Sequence, residues 1–428
     1  MDCDVLIVGG RVAGSSLALL LAQRGQRVLL VDRDTFPSDT LSTHFMGAQA
    51  VKLLDRLGVL AEVEAAGFRR ITRVRTYVAD CLFEGPGNPG GRYSLAPRRN
   101  ILDATLIAAA QRAGVDFRER TRVEGLIEED GRVVGAHLRT AQDEPLDVRA
   151  LVVVGADGRY SKVAEWVHAP TYNEAPPIRP VYHGYYHGVA PLPAPAVELF
   201  FAHETCAFIF PMRPNEDCLA MEIQPEDFET FRADPQTVFE ERFRALPGMA
   251  GRLRGAMLEG KLQGTRGIPN HFRTPYGPGW ALTGDAAYVK DPITGVGIGD
   301  ALMQSFLLAD ALGAVLSGAD WEESLGAYQR QRDGKLLPMF QATLTAARMR
   351  DASPEALAWL RGLLISPHDC RATMQWLAGA LPDILPPELR EPLKSTVQLF
   401  GASGGARATE LAPVSVASAS LSSSSASK

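Results

Sequence analysis

The chain has 428 residues, 46% of them hydrophobic and 22% charged, and a net charge of −6. That length exceeds what one core usually covers, so two interleaved domains are expected, and the balance is that of a globular protein rather than a fibrous or disordered one. No basic block is present, which argues against a nucleic-acid partner, and no uncharged run approaches the ~20 residues of a membrane span.

Residues 4–8 form a short apolar run ending in glycines, the pattern of a strand buried on both faces. A helix is predicted over 14–24, stopped by Gly25, and a second apolar strand over 27–31 ends at Asp32. Together they make a βαβ unit of the usual size. Residues 47–66 read as one helix, with Leu53, Leu54, Leu57 and Leu60 on one side. Residues 70–95 are strand-like but interrupted by EGPGNPGG, and 100–113 suit a helix. Strands are predicted over 115–118, 122–128 and 133–139, with a turn at Asp130-Gly131, and a buried strand over 152–154. Residues 180–224 alternate and predict a second sheet, whereas 235–263 read as helical. Trp280 opens a strand that leads through Gly284-Asp285 and a glycine-rich turn into a helix over 299–315. Helices are expected over 320–400, and the Ser/Ala-rich residues from 401 onward carry too little apolar surface to fold.

Cys3, Cys81, Cys206, Cys218 and Cys370 form no CxxC or Cys/His cluster, so neither a metal site nor a disulfide framework is expected. They read as buried thiols in a reducing compartment, and with no signal peptide before the first strand a cytoplasmic location is expected.

Four motifs carry chemistry. In GGRVAG, Gly9 and Gly14 occupy two of the three positions of a dinucleotide fingerprint. Gly9 permits the tight turn, Gly14 lets helix and strand approach, and the helix N-terminus offers N–H groups to a pyrophosphate. Arg11 takes the place of the middle glycine, so its side chain must point outward or add charge to a phosphate contact. Asp32, at the end of the second strand, can accept both hydroxyls of an adenosine ribose. The other motifs are RNILD at 99–103, VVVGADG at 152–158, and GDAA at 284–287 followed by DPITGVGIG at 291–299.

In this order the four resemble the FAD-dependent monooxygenases of the aromatic-hydroxylase type, within a wider group that includes geranylgeranyl-reductase-like flavoproteins. The resemblance covers residues 4 to about 315. It implies an α/β fold with a Rossmann-type FAD-binding domain over 1–75, 96–165 and 265–318. A mixed β-sheet substrate domain would take 76–95 and 166–264, helices 319–400, and a disordered tail 401–428. It implies non-covalent FAD held by Gly9, Arg11, Ala13, Gly14, Asp32 and Arg33, with Arg99 near the phosphates and Val123 meeting adenine through its backbone. Asp157 and Gly158 would stand between FAD and a pyridine nucleotide, and Asp285 would hold the ribityl chain. Pro292, Gly295, Val296 and Gly297 would meet the flavin N1/C2 edge, where a helix N-terminus favours negative charge.

Three residues are expected to be catalytic. His44 falls where relatives run beside the isoalloxazine and can move a proton. In VYHGYYHGV at 181–189, His183, Tyr185 and His187 share one face of a strand, and Tyr182, Gly184 and Tyr186 the other. His183 and Tyr186 are taken as the candidates, one from each face. Phe208 and Phe210 read as core, and no role is assigned to Tyr288 or Lys290. The reaction implied is monooxygenation of a small organic substrate with NAD(P)H and O2, through a flavin C4a-hydroperoxide; a separate flavin reductase stays open as the electron source. The alternatives are a reductase that saturates C=C bonds, an oxidase or dehydrogenase, and a non-enzymatic flavin-binding protein. A flavin-dependent halogenase needs a tunnel lysine and a Trp-x-Trp-x-Ile-Pro stretch, and neither pattern occurs.

Overall fold

The computed structural model describes residues 2–87, 92–348 and 351–363. The expectations for 364–428, for Cys370 and for the middle of the EGPGNPGG stretch lie outside those residues. Strand β1 (Cys3–Val8), helix α1 (Val12–Ala22) and strand β2 (Val28–Val31) form the βαβ unit, with β1 parallel to β2 from Val5 opposite Val28 to Val8 opposite Val31. Every residue of Val12–Leu21 is buried, so α1 is apolar all round because protein surrounds it.

The stretch 47–66 is two helices rather than one, α2 (Ala48–Leu57) and α3 (Leu60–Ala65). Gly58, at φ +77°, ends α2 in the left-handed conformation that glycine adopts without strain. Next come β3 (Arg73–Val78), β4 (Cys81–Pro86), α4 (Arg99–Arg112), β5 (Asp116–Arg118), β6 (Arg122–Glu129) and β7 (Arg132–Arg139). Asp130 and Gly131 join the last two at φ +49° and +73°, as the turn chemistry requires. β8 (Pro145–Gly155) starts well before the expected 152. Its first half pairs antiparallel with β7 and its second half parallel with β1, and only the second half is buried on both faces.

The chain continues through α5 (Lys162–Trp166), β9 (Thr171–Ala175), β10 (Val181–His187), β11 (Ala196–Ala202), β12 (Thr205–Arg213) and β13 (Glu216–Glu222). Helices α6 (Phe228–Ala233), α7 (Pro235–Ala245) and α8 (Met249–Arg252) precede β14 (Met257–Thr265). The helix expected over 235–263 therefore stops early: its last third is a strand pairing with β10, and its half-exposed residues give no clear period to read. Last come β15 (Asn270–Arg273), β16 (Tyr276–Gly277), β17 (Trp280–Leu282), β18 (Tyr288–Val289), α9 (Gly297–Leu316), α10 (Trp321–Ala347) and α11 (Pro354–Leu363).

One sheet runs β16-β17-β8-β1-β2-β5, with the β6–β7 hairpin attached through β8. A second runs β14-β10-β13-β12-β11-β3-β4, and β18-β15-β9 form a small third. The largest core joins α1, α2 and α9 to the inner faces of the first two sheets, while Tyr182, Tyr186 and Phe200 pack with α6–α8 on the outer face of the second. Among the described residues, α9 is the helix long and apolar enough to cross a membrane, but half of it is buried and Ser305 Oγ donates to Ala13 O at 2.9 Å, as in a core helix.

Candidate functional site

The glycine turn after β1 is shaped by close approach. A Cβ at Gly9, where φ is +110°, would lie 2.4 Å from Ala156 O, and one at Gly14 only 1.8 Å from Gly9 O. Strand, helix and the end of β8 can converge there only without side chains. Asp32 holds the turn from beside it: Oδ2 accepts the Gly10 N–H at 2.6 Å and Oδ1 the Asp34 N–H at 2.8 Å. Burial raises the Asp32 carboxyl above its usual range. Thr121 N–H donates to Asp32 O at 2.8 Å, which places the start of β6 and Val123 close to this corner. Ala13 is buried against the Gly284 backbone, whose Cβ would meet it at 2.7 Å. Arg33 is 79% exposed and, among the described residues, pairs with Asp34 at 3.9 Å.

Arg11 points sideways. Its guanidinium bonds Asp103 at 2.9 Å and Asp34 at 3.1 Å and lies over the Phe36 ring. Arg99 grips the same Asp103 from the next turn of α4, with Nε and Nη2 each at 3.1 Å from a carboxylate oxygen. One fully buried carboxylate thus carries two arginines, and Asp34 offsets the second of them.

Asp157 caps α5: Ser161 Oγ and the Lys162 and Val163 N–H groups all donate to its carboxylate. Gly158, at φ +83°, faces open space. Solvent reaches Asp285, yet surrounding protein raises its carboxyl above the usual range, with Lys290, Arg99 and Arg159 pulling the other way. That combination marks the floor of a cleft. After Pro292, Gly295 turns at φ +65° against the Phe45 ring. Val296 gives α9 no side-chain cap, and a Cβ at Gly297 would meet nothing within 4 Å. The N–H groups there are uncapped and have room before them, which fits an electron-rich ring edge.

His44 lies beside this turn through its neighbour Phe45. It is fully buried and takes φ +59°, a strained value for a side chain with a Cβ. Nδ1 is 3.3 Å from Pro97 O and Nε2 is 3.1 Å from Tyr185 OH. A carbonyl only accepts, so Nδ1 carries the hydrogen and Nε2 accepts from the tyrosine. Burial, His183 and Arg99 hold His44 well below the ordinary imidazole range, so it is neutral. His183 faces it across 5.7 Å between ring centroids; it is 1% exposed, and burial pushes its pKa down to about 4. Its Nε2 has no partner among the described residues. Arg98 stacks 3.9 Å over the Tyr185 ring and ties Asp39, Glu216 and Glu259 together, at 2.9, 3.2 and 2.9 Å.

Tyr186 is a correction. It belongs to the opposite face of β10, stacked 6.1 Å from Phe239 in the outer core, because strand residues alternate. Tyr185 is the tyrosine that meets His44, and the period-two pattern could have found it from its place beside His183. Asp39, Pro97 and Arg98 carried no comparable signal. Phe208 and Phe210 stack on the inner face, with Phe210 5.8 Å from Phe45. Lys290 pairs with Asp300, and Tyr288 packs on Phe272.

The FAD binding domain family matches residues 2–337. A 1H-pyrrole-2-carbonyl-[peptidyl-carrier protein] brominase of Pseudoalteromonas luteoviolacea is 26% identical over 77% of this chain and 82% of its own length. A 6-methylpretetramide 4-monooxygenase of Streptomyces rimosus is 36% identical over 39% of this chain and 41% of its own. Among solved structures, a myxobacterial chondrochloren halogenase, an FAD-dependent enzyme, superposes with TM-score 0.75 at 21% identity over 93% of this chain and 96% of its own, a likeness of fold. With its glycine turn, Asp32 corner and uncapped α9 in place, the chain belongs to the FAD binding domain family and is an FAD-dependent oxidoreductase of the aromatic-hydroxylase type.

Proposed function

We propose that the protein is a monooxygenase that takes electrons from NAD(P)H and transfers one oxygen atom of O2 to a small, electron-rich organic substrate. The observation that carries this reading is the buried, unpartnered Nε2 of His183 beside His44, in the cluster that abuts the Gly295 turn through Phe45. Bound FAD supplies hydride uptake and oxygen activation. The chain supplies the rest. Asp32 is poised for the adenosine ribose, Arg99 for a phosphate through its remaining Nη1 donors, and Asp285 for the ribityl chain. The N–H groups over Gly295–Gly297 favour negative charge at the ring edge. The seven-stranded sheet, with β10 next to its β14 edge, covers the site as the substrate-binding part.

His183 Nε2 is the atom left for a substrate hydroxyl, and as a neutral imidazole it can accept a hydrogen bond from that hydroxyl and orient the ring without taking on charge. Tyr185 O–H has two acceptors within reach, His44 Nε2 at 3.1 Å and Asp39 Oδ1 at 3.4 Å, and its one hydrogen can serve either. Electron-rich aromatic substrates suit a pocket of neutral rings.

The test is product mass from a panel of phenols incubated with NAD(P)H in labelled dioxygen, with bromide present and absent. A gain of one labelled oxygen supports the proposal. A gain of two hydrogens indicates the reductase alternative, a loss of two the dehydrogenase, and halogen incorporation the chemistry of the brominase relative; any of these without oxygen transfer overturns it. Flavin reduction by NAD(P)H without added protein would remove the need for a separate reductase.

A further inference from the structure

Glu222 ends β13 and Asp291 opens the Pro292–Thr294 turn, and their carboxyl groups face each other inside the protein. Glu222 is 1% exposed and Asp291 fully buried. Glu222 Oε2 and Asp291 Oδ2 are buried without a hydrogen-bond donor among the described residues. Two bare carboxylates cannot face each other in such a place, so one carries a hydrogen. Asp291 Oδ1 accepts the Ile293 N–H at 3.1 Å, and the Asp291 N–H donates to Asn270 Oδ1 at 2.7 Å. Asp291 is therefore the carboxylate and Glu222 the acid.

Among the described residues, one cation faces the pair. Arg179, 2% exposed, attracts both carboxyls. Cys206, opposite Glu222 on β12, is a neutral thiol pushed up to about 12, and Asp351 is the further ionisable group facing it. His271, next to Asn270 on β15, answers to Arg273 and Glu174 instead.

We propose that Glu222 and Asp291 share a single proton and act as a positioning pair: the Glu222 O–H donates to Asp291, and Asp291 in turn holds the Pro292–Gly297 turn in the shape that receives the flavin edge. This rests on the reading of 292–297 as the flavin turn. With one proton the pair is neutralised by Arg179. Losing it places a second negative charge directly behind N–H groups that must serve an electron-rich ring. Burial raises Glu222 well above the ordinary carboxylate range and Asp291 to about 6. A raised folded-state pKa gives stability that is complete below the unfolded value and is lost as pH rises through the folded one.

The full-length protein, Glu222→Gln and Glu222→Leu are compared from about pH 5 to about pH 9 by thermal midpoint, FAD dissociation constant and infrared spectrum. In the wild type both stability and FAD affinity should decline as pH rises. Glu222→Gln keeps a donor without a titratable proton, so it should match wild-type affinity at low pH and lose the part of the decline that Glu222 contributes. Glu222→Leu, with no donor, should bind FAD about ten-fold more weakly at every pH. Wild type should show a protonated-carboxyl C=O band that Glu222→Gln lacks. Absence of that band, or an unchanged alkaline decline in Glu222→Gln, overturns the shared proton even if Glu222→Leu fails to fold. If band and stability behave as stated while FAD affinity is the same in all the proteins that fold, the proton stands and the reading of 292–297 as the flavin turn fails.

Discussion

His183 enters folding with an ordinary imidazole and finishes where its charged form is strongly disfavoured. Its pKa falls from 6.5 to about 4 because burial strips water from the ring. A lowered folded-state pKa means that the unfolded chain binds the proton better, so stability is lost as pH falls from about 6.5 toward about 4. His183→Gln should remove up to about 3 kcal/mol of that acid-side loss, read from urea midpoints across the interval; an unchanged acid limb would show that the ring is not held neutral. For His44 the expected effect is on chemistry. His44→Asn tolerates the left-handed backbone but releases the Tyr185 hydroxyl, so product formation should fall at least about ten-fold while flavin reduction by NAD(P)H keeps its rate. Tyr185→Phe should behave the same way, and full turnover in it would detach His44 from that partner. His44 stood out through the resemblance, which runs its segment beside the isoalloxazine, and His183 because histidine on an alternating strand is chemically conspicuous. Their pairing did not, since the 141 residues between His44 and Tyr185 leave no local trace of a contact made only in the folded chain.

At the scale of elements, two glycines separate building the fold from serving the cofactor. Gly14→Ala would drive a methyl against the Gly9 carbonyl, so it should destabilise the protein by about 1–3 kcal/mol or more and lose FAD as a consequence. Gly297→Ala meets open space and sits in the first turn of α9, so the thermal midpoint of the flavin-free protein should stay put while FAD affinity drops about ten-fold. A fluorescence titration beside a melt distinguishes the two; normal FAD affinity in Gly297→Ala would move the ring edge elsewhere. The βαβ unit was legible because strands buried on both faces and a helix buried all round write unbroken apolar runs between glycines, and α9 because its long, mostly apolar run follows a glycine turn. The strand at 257–265 was not, because its residues are mostly half-exposed and alternate weakly. The division of 47–66 was signalled by Gly58, but four leucines at helical spacing outweighed one glycine in the pattern.

At the scale of the whole molecule, Arg98 spans the two principal sheets. It leads into α4 on one side and binds Glu216 and Glu259 of the other sheet, with Asp39 between them, while 12% of its side chain remains exposed. Removing it leaves Asp39 without a cation, while Glu216 keeps Arg213 and Glu259 keeps His187, so Arg98→Gln should cost about 1–2 kcal/mol once solvent screening is counted. The cost should shrink in Arg98→Lys, which keeps the charge and loses the fork. Urea unfolding measures both, and equal stability in all three proteins would mean that the sheets are held by apolar packing alone.

The bond from Gly10 N–H to Asp32 Oδ2 bears on how a dinucleotide is captured. The phosphate turn is latched to the neighbouring strand by its own chain, so its backbone freedom is surrendered during folding rather than during the encounter. A ligand arriving there meets a rigid mould and gives up chiefly its own entropy. Capture should then be governed by diffusion and by the arginines around Asp103, with no slow ordering step in the protein.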